Sequence, residues 1–316
     1  MNGDVVAATS EAKPIYDMDA YELAEKLRQM GDDAAAAEIE AGQEQEGLEG
    51  FFDKRPRRPY LFRTHQIGYM PLREAGSEAP LPIRAIGVVD PDPGLLHQRI
   101  DIHLDRLHVQ EYPGSLLSHI GGHSEHHIMV SFTASNQLPA GANPEPVAFA
   151  QTYVAYDGDE AGVIGYPIFV GLNVGETGAA FQIKTVNVKN SEDEAMLKVL
   201  DADEFKSGLN LLTTAQPALV PLTKLAVGTT RLLAGRSKNV TVQEFYLGLD
   251  TKLAAAGGPL VTGNFIVAQV PSPTEIDWSI YHYDPRIGTV VLKEDGKRGL
   301  PYNYLIFRVT RHGSGV

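Results

Sequence analysis

From Tyr60 to Thr310 the chain is a succession of short apolar runs broken by Gly, Pro and Asp, and that rhythm admits few architectures. Runs of strand character fall near 60–69, 82–89, 99–110, 126–135, 146–155, 164–174, 180–188, 240–249, 260–270, 279–283, 288–293 and 302–310. In YNYLIFRVT, Leu305, Phe307 and Val309 share one face, opposite Tyr304, Ile306 and Arg308. In FQIKTVNVKN the apolar face switches partway, and a bulge near Thr185 is expected to bring Phe181, Ile183, Val186 and Val188 together. Asp295-Gly296 reads as the turn of a hairpin joining the last two strands. GYPIFVGLNVGETG is a denser apolar run ending in a polar Gly turn and reads as a central strand. Strand–helix alternation and a fixed repeat are both missing, so the reading is mainly β, an antiparallel β-sandwich spanning 54–316.

A helical block interrupts the strands at about 191–236. Ser191 and Glu194 form a capping-box pattern, and Asp203–Leu212 reads as a second short helix. Between Pro217 and Arg236, Leu222, Leu225, Ala226, Leu232 and Leu233 form a stripe that suits a helix lying across an open sheet face. Leaving the body to meet a membrane is the alternative use of such a stripe.

The N-terminal part is of another kind. Residues 1–16 read as a disordered lead and 17–53 as an acidic helical arm. Leu23, Leu27 and Met30 recur at helical spacing, Gly31 stops the helix, and Asp32-Asp33 cap a second one, completing a helical hairpin. Leu23, Leu27, Met30 and Ile39 are the arm's main apolar surface and its candidate contact with a protein partner or a second copy. Of the net charge of −13, residues 1–53 carry −11, from 14 acidic and three basic side chains. An acidic arm on a near-neutral body argues against a nucleic-acid partner. Lys54, Arg55, Arg57 and Arg58, spaced by Pro56 and Pro59, mark the boundary and are placed to pair with the arm.

Seven of the ten histidines lie between His97 and His127. Strands 99–110 and 126–135 read as a hairpin around them. His119, His123, His126 and His127 can supply imidazoles to a divalent ion such as zinc, with Glu125 or Asp105 as a carboxylate. In the first strand Ile100, Ile102 and Leu104 face the core while Asp101, His103 and Asp105 face out, which favours protonation of His103. Established motifs are not completed. His123-Ser124-Glu125 has the H-x-E form of zinc deaminases, but the chain has no cysteine to follow it. His103-Leu104-Asp105 and His282-Tyr283-Asp284 match the metal pair of double-stranded β-helix oxygenases without the distal His. There is no H-E-x-x-H, G-x-S-x-G, G-x4-G-K-[ST] or G-x-G-x-x-G.

Asp90-Pro91-Asp92 and Asp157-Gly158-Asp159-Glu160 sit at strand ends, where Asp-Pro and Asp-Gly form turns and clustered oxygens can hold Ca²⁺. A β-sandwich with acidic loops at one end resembles C2 domains in architecture, or a jelly roll. The clustered oxygens make Asp157 and Asp159 candidate Ca²⁺ ligands; the resemblance is of architecture only, and no C2 motif maps residue by residue. The expected function is a non-enzymatic binding or assembly protein that meets a protein partner or itself through the arm and sheet edges. A metal-dependent enzyme or metal sensor built on His119–His127 is the alternative, and a membrane-contacting β-rich effector the second. No basic–apolar leader opens the chain, and no run of about 18 apolar residues occurs, so a cytoplasmic location is expected.

Overall fold

The structure, a computed structural model, describes residues 12–50, 58–114, 124–137, 144–189, 193, 197, 200, 203–212, 216–252 and 257–314. The chain is mainly β, with antiparallel and mixed sheets, and among the described residues none closes into a barrel. Strands are numbered in chain order. The largest sheet contains β1 (Thr64–Met70), β3 (Arg84–Ala85), β4 (Arg99–Val109), β7 (Asp159–Glu160), β8 (Tyr166–Asn173), β10 (Leu209–Asn210), β13 (Gly263–Val270) and β16 (Tyr304–Arg311). Its order is β10-β8-β4-β16-β13-β1-β3, with β7 paired to β4. The second sheet holds β5 (Glu125–Asn136), β6 (Glu145–Tyr156), β9 (Ala179–Val188), β11 (Val240–Asp250) and β12 (Gly258–Pro259), in the order β12-β11-β9-β5-β6. A small sheet joins β2 (Leu81–Pro82), β14 (Tyr281–Asp284) and β15 (Thr289–Leu292) in the order β15-β14-β2.

The alternation in β16 shows why the layers form. Leu305, Phe307 and Val309 enter the main core, whereas Tyr304 and Ile306 enter a second cluster with Trp278 and Val290 beneath the small sheet. In the main core Phe307 stacks on Phe265 of β13 at 5.2 Å. It also meets Phe181 and Phe132 of the second sheet at 6.1 and 6.3 Å. Aromatic contacts of this kind add to plain area burial. Every residue of β13 is buried, because both faces of that strand are covered.

Four sequence expectations change here. Strands β4 and β5 are not a hairpin: β4 pairs with β16, β8 and β7, and β5 with β6 and β9. Each turns an apolar face to the shared core, so they lie in different sheets. The Asp295-Gly296 turn exists, with Gly296 at φ 62, but β15 pairs with β14 and β16 with β13. The dense run forms β8, one place from the end of its sheet and followed only by the two-residue β10.

Finally, β9 runs against β5 without a shift, and the bulge belongs to β11 at Val242, between Thr241 and Gln243. Val186 and Val188 therefore keep the face opposite Phe181 and Ile183, and all four are buried. The cover on that outer face is α3 (Gln216–Ala234), which donates from Thr230 Oγ1 to Met129 Sδ and accepts the Ala148 N–H at Thr223 Oγ1. Its Leu222, Leu225, Ala226 and Leu233 pack on the main core, so most of the stripe is used inside the molecule, while Leu232 is half exposed. In the preceding block Asp203–Lys206 is a single helical turn leading to β10; most of 190–202 lies outside the described residues. Among the described residues no helix is long and apolar enough to cross a membrane.

The arm folds as α1 (Ala20–Gln29) and α2 (Asp33–Gly50). Asp19 and Glu22 close a capping box, and Gly31 at φ 83 turns the chain. Leu23, Leu27, Met30 and Ile39 are all buried in the main core with the sheet residues, so their apolar surface is spent within this chain. Polar contacts fix the same docking. Tyr16 OH donates to the Glu244 carbonyl at 3.0 Å, Lys26 Nζ to the Arg236 carbonyl at 3.1 Å, and Gly114 N–H to Asp32 Oδ2 at 3.2 Å. Arg58 pairs with Glu38 of α2 and with Glu111. Lys54, Arg55 and Arg57 lie outside the described residues, as do residues 1–11.

Candidate ligand-binding cleft

Of the four histidines expected to gather, His119 and His123 lie outside the described residues. His126 and His127 are consecutive in β5 and so project to opposite faces. His126 is fully buried and pairs with Asp157 at 2.9 Å, whose Oδ1 also accepts the Tyr112 N–H at 3.1 Å. His127 sits outside against Glu125 at 3.2 Å. These two imidazoles therefore do not share an ion. Asp159 Oδ1 accepts the Glu160 N–H at 2.8 Å, and the Asp157-Gly158 segment is the tight turn from β6 to β7, with Gly158 at φ 78. Among the described residues no three His, Asp or Glu side chains gather as a metal site.

On the outer face of the large sheet a cleft of about 840 Å³ opens between that sheet and the small one. Its size suits a small molecule. Met70, Leu72, Leu81, Ile164 and Ile306 form its apolar wall; Arg73, Glu74, Asp105, Arg106, Arg308, Asn264 and Tyr283 supply the polar groups.

A bulge in β4 builds the polar wall. Leu104 faces Phe307 and Arg106 faces Ile306, leaving Asp105 as the extra residue. Leu104 and Leu107 both stay in the core, so Asp105 and Arg106 both turn outward. Two consecutive charged side chains thereby enter one cleft. Arg106 is committed to backbone: Nε donates to the Gly288 carbonyl at 2.8 Å, and Nη1 to the carbonyls of Asp105 and Val163 at 2.9 and 3.1 Å. Gly288, at φ 72, leaves the room, since a Cβ there comes 2.5 Å from Arg106 Nη2.

Arg308 is used more sparingly. Its Nε stands 3.2 Å from Asp105 Oδ2, and it has no other ion pair or hydrogen bond among the described residues. Asp105 Oδ1 is buried without a donor among the described residues. Burial pushes the Asp105 carboxyl above the usual range, with Arg308, Arg106 and Arg73 opposing the shift. Burial likewise raises the Tyr283 phenol, against Arg106. His103, expected to be favoured in its protonated form, moves the other way. Burial and then Arg308 lower its pKa, and Asp101 only partly compensates. The described lining contains no His, Ser or Thr, so what the cleft offers is charge, hydrogen bonds and an apolar wall.

Sequence spacing does not group Arg73, Arg106 and Arg308, because residues more than 230 apart meet here. One local signal was present. In RIDIHLDRLHV the inward apolar residues run Ile100, Ile102, Leu104, then Leu107 and Val109, and that change of phase is the bulge.

A mainly β protein with a charged cleft on its outer sheet face is the class these features define. No protein family, curated protein or solved structure matches the chain.

Proposed function

We propose that this is a non-enzymatic binding protein of β-sandwich architecture whose ligand seat is the cleft over Asp105, Arg106 and Arg308. The sandwich reading is supported by the apolar faces that the two larger sheets turn to one core through Phe132, Phe181, Phe265 and Phe307. The observation that carries the binding reading is the under-used Asp105–Arg308 pair in the wall of a roomy cleft. Buried polar groups without partners are costly unless something completes them, and on the donor side the Arg308 Nε–H makes no hydrogen bond of good geometry among the described residues. The test is a thermal-shift screen of cationic, neutral and anionic small molecules against the wild type and Ala75→Trp. Ala75 is an exposed lining residue, so the indole fills the cleft without disturbing the core. Stabilisation of the wild type alone by one chemical class supports the reading. No stabilisation by any class, or equal stabilisation of Ala75→Trp, overturns it.

Contact with a second copy or a protein partner is a further reading, favoured by β6. It is a twelve-residue edge strand, and its far end exposes Val154 and Tyr156. Light scattering across a concentration series, with Val154→Lys as the blocked edge, tests it. A wild type that stays monomeric throughout counts against it.

A further inference from the structure

Within the cleft, three arginines face two carboxylates, in a chain whose net charge is −13. The opening is thus a locally positive place on an acidic molecule, which draws anions by field as well as by contact. The arginines are not equivalent. Arg106 has given its Nε and Nη1 donors to three backbone carbonyls and braces the walls. Arg73 is exposed and has no ion pair among the described residues, and Arg308 holds Asp105 by a single 3.2 Å approach. Two guanidinium groups therefore line one cleft with N–H donors to spare, in the fork geometry that suits carboxylate and phosphate. The Gly165 backbone, at φ 60, lies beside both Arg308 and Asp105 with no side chain to shield them: a Cβ there comes 3.4 Å from Arg308 Nη2 and 3.8 Å from Asp105 Oδ1.

We infer that the cleft takes a small carboxylate- or phosphate-bearing anion on Arg73 and Arg308, and that Asp105 is the internal carboxylate this anion displaces from Arg308. The inference rests on the cleft being the ligand seat. Asp105 then acts as a competitor that keeps Arg308 extended and occupied until the ligand arrives. Asn264 and Tyr283 add polar contacts at the wall, and Leu72 and Ile164 take the apolar part of the ligand.

The test is isothermal titration of the full chain with citrate, with inorganic phosphate and with glycerol as the neutral control, at low ionic strength. Wild type, Arg308→Met, Arg73→Met and Asp105→Asn are compared. Citrate or phosphate binds the wild type, and which of them binds tells carboxylate from phosphate chemistry; glycerol does not bind. Arg308→Met and Arg73→Met each weaken binding at least about tenfold, the loss expected for a charge-assisted hydrogen bond. Asp105→Asn binds more tightly than wild type, a gain that misfolding cannot imitate. Binding that survives Arg308→Met, equal binding of glycerol, or an Asp105→Asn variant weakened like Arg308→Met overturns the inference. Failure of both anions also overturns it. A neutral or cationic ligand excluded by Ala75→Trp then leaves the binding reading standing without it.

Discussion

Arg308 stands directly across from His103 in the register of β16 and β4, yet its guanidinium pairs with Asp105, 3.2 Å away. Alternation already faces Asp105 outward, and the β4 bulge brings Arg106 out beside it. Because burial raises the Asp105 pKa, the folded chain holds that proton to higher pH than the unfolded chain. Stability from this group is present at low pH and is lost as pH rises from about 4 through the raised value. Asp105→Asn removes the loss. Urea midpoints of variant and wild type should coincide near pH 3 and diverge in favour of Asp105→Asn toward pH 7. A variant that is the less stable at pH 7 contradicts this.

Gly288→Ala should destabilise the fold by at least about 1 kcal/mol, from the left-handed backbone and the collision with Arg106. The same change should loosen the Arg106 brace and so alter the cleft. Thermal melting checks the first effect, and hydrogen exchange at the Gly165 amide the second.

Leu27 is wholly buried with sheet residues. Leu27→Ala should therefore cost about 2–5 kcal/mol in one cooperative transition. A variant with an unchanged unfolding midpoint would show the arm to be an appendage.

His65 lies tilted against Phe245 with ring centroids 4.6 Å apart, and burial lowers its pKa to about 4. The unfolded chain takes up this proton first, near its ordinary pKa of about 6.5. Stability from the neutral ring is thus complete above that value and falls away as pH drops toward 4. His65→Leu should flatten the stability profile between these limits. Identical pH profiles for the two proteins would contradict the assignment.

Strand positions were legible because period-two alternation and turn residues are local. In β4, β5, β6, β9 and β16 the expected runs match the strands to within two residues. Partnership was not legible. Nothing in Ile100–Val109 says that it pairs with the C-terminal strand and faces β5 across a core. The arm illustrates a similar limit. Helical spacing identified Leu23, Leu27, Met30 and Ile39 as a contact face, but spacing is the same whether the face meets a partner or its own sheets. The cleft was hidden because Asp105 and Arg308 meet only through pairing of β4 with β16. Even so, two adjacent polar residues between Leu104 and Leu107 mark where the strand changes phase.

The most direct test is the arginine side-chain spectrum of the full chain, labelled at Nε with ¹⁵N, during titration with citrate and then with phosphate. The account predicts that the Nε–H signals of Arg308 and Arg73 move in saturable fashion with at least one of the two anions. Arg106, held by three backbone carbonyls, should stay in place. An unmoved Arg308, or shifts spread evenly over surface arginines, would contradict it.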